Sequence, residues 1–253
     1  MANVYYKIDG NDIYYTNEEK VGYTLRDQDS NISRYKNVII ELYNDKFIFP
    51  QYSGDLFNGA LNTSFDTSKW DTSDAISITY LFCDCSNLTS IDVSNFDTSN
   101  IVYMYRTFRN CTSLTTLDLS TWDTSKLTDM QQTFSYSNNL KKVDISSWDT
   151  SKVTTMEAAF SGCTSLEKIL VGEGFSTRGI QYWTYGQSMF SNCTSLVGEK
   201  GTAYNNSHQN SDYARIDNPP DAPGYLTLKK PEWIEHDVYI KENGVWKLVE
   251  VYN

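Results

Sequence analysis

Carboxylates are the side chains in this sequence best placed to do chemistry. Asp92, Asp118 and Asp144 recur at a constant offset, and Asp97, Asp123 and Asp149 follow at the same offset. If successive copies stack about 5 Å apart, two such carboxyl groups would match the separation that a retaining glycosidase uses, and a row of them could offer oxygen ligands to calcium. Both readings meet one objection: a residue repeated in every unit serves the unit, whereas a catalytic pair is needed once. Asp followed by Thr and Ser is also a turn former, because the short side chains bond nearby backbone amides. His208 and His236 are the two histidines, and no nucleophile motif accompanies either. The expectation is a protein without catalysis, cofactor or metal.

Thiols come next. Of five cysteines, Cys85, Cys111, Cys163 and Cys193 share one repeat position, with Ser137 in the same column, and Cys83 stands outside it. A column that tolerates serine does not require a bridge, and an odd count suits reduced thiols packed as small hydrophobes. Stacking distance alone would not forbid a bridge from Cys85 to Cys111. Zinc through Cys83 and Cys85 lacks a second pair to complete four ligands.

These residues are positioned by a repeat. The run CTSLTTLDLSTWDTSKLTDMQQTFSY at residues 111–136 returns at an offset of 26 residues. Leu88, Leu114, Leu140 and Leu166 fall in one column; Ile91, Leu117, Val143 and Ile169 in a second; Val93, Leu119, Ile145 and Val171 in a third. Trp70, Phe96, Trp122 and Trp148 form a fourth, and Phe82, Phe108, Phe134 and Phe160 a fifth. A last copy at residues 189–196 is delayed to 30 residues by the insert GEGFSTRGIQYW. Such self-similarity is the signature of a solenoid whose coils bury their apolar faces against their neighbours. Within Leu117-Asp118-Leu119-Ser120 the period-2 alternation predicts a short strand, leucines inward and polar residues outward. One or two helical turns are expected over residues 156–162, and a parallel sheet along the side of the stack.

Smaller β modules are expected at the ends. Residues 2–16 read as a hairpin around Asp9-Gly10-Asn11-Asp12, and NVIIELYNDKFIFPQY as two more strands joined at Asn44-Asp45, giving an antiparallel N-terminal module over residues 1–55. Residues 59–200 then hold about five coils, residues 201–228 close them, and residues 231–253 form a C-terminal hairpin around Asn243-Gly244. The apolar set Val238, Ile240, Val245, Trp246, Leu248 and Val251 supplies that hairpin with material for docking. A hairpin of this size is marginal unless it packs on something.

The motif Phe-x-x-Cys-x-Ser-Leu-x-x-Leu-Asp-Leu-Ser, followed by Phe/Trp-Asp-Thr-Ser-x-Val-Thr-x-Met, resembles the 26-residue repeat of BspA-like leucine-rich-repeat surface proteins. GTAYNNSHQNSDYARIDNPPDAPGYLTLKK resembles the segment that closes such arrays, so the likeness covers residues 59–228. It implies a leucine-rich-repeat-like solenoid of short parallel strands and short helices, used for adhesion and binding at bacterial surfaces; members also occur in bacteriophage genomes. Departures are Ser137 in the cysteine column, Leu170 where Asp stands in the other units, and the stretched last coil. The ending YIKENGVWKLVEVYN resembles the tails of phage structural proteins.

A net charge of −11 argues against nucleic acid or an anionic membrane as partner, and no apolar stretch approaches the length of a membrane span. The N-terminal stretch lacks the basic start and apolar run of a secretory signal peptide. With the thiol column, this leads to the expectation of a bacteriophage virion component (fibre, decoration or tail/head accessory) assembled in the host cytoplasm, with a bacterial cell-surface adhesin as the alternative. Partners would be other virion proteins, a host-surface protein or glycan, or a second copy of the chain. The outward residues Asp92, Ser94, Asp118, Ser120, Asp144 and Ser146 are the candidate binding face.

Overall fold

A computed structural model describes residues 3–26, 36–218, 221–229, 238–242 and 245–249, the last two segments as backbone. Strands β1 (Tyr5–Asp9) and β2 (Asp12–Thr16) form the expected hairpin, with Asp9 opposite Asp12 and Gly10 in the left-handed region. β3 (Thr24–Leu25) joins β1 antiparallel. β4 (Asn37–Ile40) joins β2 in parallel, so the N-terminal sheet is mixed rather than antiparallel. Asn44 and Asp45, both at positive φ, make the tight turn between Tyr43 and Lys46. The chain then enters the stack directly: β5 (Phe47–Ile48) pairs in parallel with β6 (Trp70–Asp71), one coil further on.

The solenoid is marked by six stacked phenylalanines: Phe57, Phe82, Phe108, Phe134, Phe160 and Phe190. Consecutive rings lie 5.0 to 6.1 Å apart and within 20° of parallel. Tyr225 of the closing segment ends the column edge-on against Phe190 at 5.3 Å. A second stack runs Phe96, Trp122, Trp148 at 6.0 and 6.3 Å. Leu117, Leu119, Trp122 and Phe134 are buried, as the period-2 and 26-residue patterns require.

Beyond the β5–β6 pair at the start of the stack, the larger parallel sheet lies toward its C-terminal end. β7 (Thr116–Asp118), β8 (Lys142–Ile145), β9 (Lys168–Val171) and β10 (Leu226–Leu228) form a parallel sheet in the order β10-β9-β8-β7, so the closing segment supplies its last strand. Ile91 and Val93 keep the inward alternation but join no described strand.

The continuous ladder lies in the turn segments. Met130, Gln132, Phe134 and Tyr136 donate their amides to Thr155, Glu157, Ala159 and Ser161 of the next coil. Thr133, Ser135 and Ser137, between them, donate three residues back to Met130, Gln132 and Phe134. The same pattern holds from residue 53 to residue 191. This replaces the helical turns expected over residues 156–162. An α-helix spends every amide inside its own segment, whereas here every second amide is given to the neighbouring coil. It also requires two left-handed residues per coil, four apart: Tyr80 and Asp84, Arg106 and Asn110, Gln132 and Tyr136, Ala158 and Gly162, Ser188 and Asn192. Among the described residues the helical structure is two short 3₁₀ turns, Trp183–Gly186 and Ser211–Tyr213.

β11 (Val238–Glu242) and β12 (Val245–Val249) pair antiparallel as a C-terminal hairpin. The side chains of Val238, Ile240, Val245, Trp246 and Leu248, like Val251 and the Asn243-Gly244 turn, lie outside the described part of the structure.

The stacked column makes each phenylalanine answer to two coils. Phe134→Ala should cost about 3–5 kcal/mol in urea or guanidinium unfolding, with a melt that stays cooperative. A loss under about 1 kcal/mol, typical of surface substitutions, would mean that the stack does not carry the fold.

Candidate functional site

The two aspartate rows are built the same way. Asp92, Asp118 and Asp144 accept the backbone N–H of Ser94, Ser120 and Ser146 at 2.9, 2.9 and 3.1 Å. Asp97, Asp123 and Asp149 accept that of Ser99, Ser125 and Ser151 at 3.1, 2.9 and 2.9 Å. Each carboxylate therefore closes a turn at the end of a short extended piece. Within Trp-Asp-Thr-Ser the ring faces the core, the Asp closes the turn, and the buried Thr hydroxyl donates to the next coil. Thr98 reaches Asp123 O and Thr124 reaches Asp149 O, both at 3.1 Å.

The six expected binding residues do not form one uniform row. Asp92, Ser94 and Asp118 are exposed, and Ser120 and Ser146 are half-buried. Asp144 is buried, and Lys229 of the closing segment donates to its Oδ2 at 2.8 Å. β9 lies between them and carries Leu170, the position where the repeat's Asp is missing. An aspartate there would put a second carboxylate beside Asp144 under a single lysine. His208 lies flat against Tyr213 with ring centroids 4.2 Å apart. His236 lies outside the described residues, among which no group of three or more His, Cys, Asp or Glu side chains converges on a metal position.

All five cysteines are free and buried. Cys85, Cys111, Cys163 and Cys193 each donate Sγ–H to the phenylalanine carbonyl of the preceding coil: Phe57, Phe82, Phe134 and Phe160, at 2.9 to 3.2 Å. Ser137 Oγ does the same to Phe108 O at 2.9 Å. The column thus selects a small side chain with one donor, which is why serine replaces cysteine. Burial pushes the Cys85 and Cys163 thiols up to about 12, and Cys111 and Cys193 well above the ordinary value, so the reactive thiolate is suppressed.

The turn face carries a cluster that does not repeat. Arg106 Nε donates to Gln132 Oε1 at 2.8 Å and Nη1 to Tyr80 Oη at 3.2 Å. Its guanidinium lies 4.7 Å from the Tyr105 ring centroid and 5.6 Å from that of Tyr80, and those two rings meet edge-to-face at 5.2 Å. Arg109 lies 5.1 Å from the Tyr136 ring and 3.5 Å from Asp84 Oδ1. Reading the repeat for its regularities passes over these residues. The signal is the departure: in the next two coils, Arg106 becomes Gln132 and Ala158, and Arg109 becomes Ser135 and Ser161.

Two predictions follow from these contacts. Native mass spectrometry should show five free thiols, with alkylation slow until denaturant is added, and Cys111→Ser should fold with a melting temperature within a few degrees of the parent. A Cys85–Cys111 disulfide in the purified protein would contradict this. The second concerns acid. Hydrogen bonds from the Ser94, Ser120 and Ser151 side chains and amides hold Asp92, Asp118 and Asp149 below the ordinary aspartate value of 3.8, and the Ser125 amide and side chain do the same for Asp123. Because the folded form binds these protons less readily than the unfolded chain, their stabilisation is complete above 3.8 and lost as pH falls through the lower folded values. Asp129, pushed up by burial, works the opposite way. The melting temperature should hold from neutrality to about pH 5 and fall steeply below about pH 4. Replacing Asp118 and Asp123 together by Asn, which keeps an acceptor in each turn, should flatten that fall. An unchanged acid slope in the double variant would remove the turns from the account.

The family described as "Mycoplasma protein of unknown function, DUF285" matches residues 52–117 and 104–217. These stretches run from the first turn segment to Asp217, which is buried and accepts hydrogen bonds from Lys200, Thr202 and Gly224 in the closing segment. No curated protein and no solved structure matches the chain.

Proposed function

The chain belongs to this DUF285 family, and from that premise we propose a non-enzymatic repeat protein whose solenoid presents its sides to a binding partner. The observation that carries the reading is the commitment of the repeated carboxylates to turn closure. That use accounts for their recurrence without catalysis. Side chains that do not recur, such as Tyr105, Arg106 and Arg109, are then the ones free to differ with a partner. The exposed members of the aspartate row, Asp92, Ser94 and Asp118, offer a further polar face.

The setting is a bacteriophage particle, where the protein serves as fibre, decoration or tail/head accessory and faces a host-surface protein or glycan. Support comes from the thiols: five buried, unbridged cysteines suit a protein that folds in a reducing cytosol before release. The terminal β modules would dock the solenoid onto neighbouring virion proteins or onto a second copy of the chain. The second reading is a bacterial surface adhesin, which family membership and the resemblance to BspA-like surface proteins favour.

Immunogold labelling with antibodies to the solenoid separates the two. Label on intact phage particles purified from the source strain is the expected result, and label restricted to bacterial envelopes selects the adhesin. Signal confined to the cytosol, with particles and envelopes both unlabelled, would sink both settings.

A further inference from the structure

The turn face is a regular surface with one irregular place. On the third coil two residues of every four are buried and two are not. The equivalent positions of the fifth coil are Thr155, Glu157, Ala158, Ser161 and Gly162, mostly small residues, of which Ser161 and Gly162 are buried. The third coil carries instead Tyr103, Tyr105, Arg106, Arg109 and Asn110, flanked by Tyr80 before and Tyr136 after. Coil geometry does not call for this, because the fifth coil makes the same backbone ladder with mostly small side chains.

Tyr136 sharpens the argument. It occupies the left-handed position that Gly59, Asn110, Gly162 and Asn192 fill in other coils, with φ of 62°. Gly162 makes room for it: a Cβ at Gly162 would lie 2.8 Å from Tyr136 Cδ1. The Tyr136 ring therefore sits between Arg109 and the Gly162 backbone while 48% of the residue stays exposed. Tyr103 is 44% exposed on the same face.

Both arginines are engaged within the protein, Arg106 with Gln132 and the Tyr80 and Tyr105 rings, Arg109 with Asp84 and the Tyr136 ring. They brace the rings more than they offer open charge. Nearby acids, Asp84 and Asp129, offset them, so the patch is close to neutral. Its fringe is amide and hydroxyl: Gln131, Gln132, Asn110, Thr79. Braced tyrosine faces edged by planar hydrogen-bonding groups, without an aliphatic rim, match a sugar ring, which has an apolar C–H face and a circumference of hydroxyls. An acidic ligand would want unpaired cations, and a protein hot spot would want a dry apolar surround.

We infer that the tyrosine–arginine patch centred on Tyr105 and Arg106 is a binding site for a neutral glycan chain, the pyranose faces stacking on Tyr103 and Tyr105, with Tyr136 at the edge of the patch. This rests on the binding-solenoid reading above and adds the ligand class and the place. The test uses the full chain on an array of neutral glycans (glucans, mannans, galactans and N-acetylglucosamine oligomers) beside sialylated and sulfated ones. Binding to at least one neutral class is expected. Losing a stacked ring, worth up to ~1.5 kcal/mol, should weaken it about tenfold in Tyr105→Ala. Tyr103→Ala, at an exposed position, should weaken binding with the melting temperature unchanged, and Tyr185→Ala, exposed on the same face of the last coil, should leave it intact. Absence of binding to every neutral glycan would overturn the inference. So would binding restricted to acidic glycans or to a protein, or neutral binding that survives both Tyr103→Ala and Tyr105→Ala. None of these outcomes bears on the labelling result, so failure here leaves the location of the protein where that experiment puts it.

Discussion

Every second amide of the turn segment is donated to the next coil, and most of what is regular in this protein depends on that division. It sets the coil spacing at that of hydrogen-bonded backbones, about 4.8 Å, which brings the phenylalanine rings to 5–6 Å, near the separation of stacked aromatics. It also dictates two left-handed residues per coil, and with them the recurrence of Gly, Asn and Asp at one of the two positions. Most of the amides that remain bond three residues back and fold the segment on itself.

Side chains extend the same logic to the carbonyls. The cysteine or serine of each coil, the buried threonines and the core tryptophans all donate to a neighbouring coil: Cys111 to Phe82, Thr133 to Met104, Trp122 to Val93. Trp70, at the start of the stack, has the same buried indole but finds no partner for its Nε1 among the described residues. The difference marks where the repeat meets the N-terminal sheet. At the other end, Lys229 reaches past Leu170 to Asp144 and ties the closing strand to a coil beyond its immediate neighbour.

Much of this was legible in the sequence because a 26-residue period leaves columns, and columns of Leu, Phe and Trp admit one burial pattern. The inward set Leu117, Leu119, Trp122 and Phe134 needed no more than that. The turn segment was misread as helix because apolar residues three and four apart, such as Met156, Ala159 and Phe160, suit a helical face equally well. What separates the two is backbone pairing between coils, which spacing within one coil does not encode. The strand pairing of β10 with β9 was hidden for a similar reason, since it joins residues on either side of an irregular closing segment. The aspartate row was placed, but the burial of Asp144 depends on Lys229, 85 residues away. The tyrosine–arginine patch escaped because attention to what recurs discards what does not.

The ladder also has a mechanical side. Bonds between coils run along the stack, so a pull on the ends loads the outermost coil first, and its few hydrogen bonds carry the tension before the next coil feels it. A coil released this way frees a 26-residue length of chain, about 90 Å at ~3.5 Å per residue. The protein would pay out length in equal steps, as a tether that yields by stages under shear instead of snapping, with each remaining coil still intact behind the last one lost.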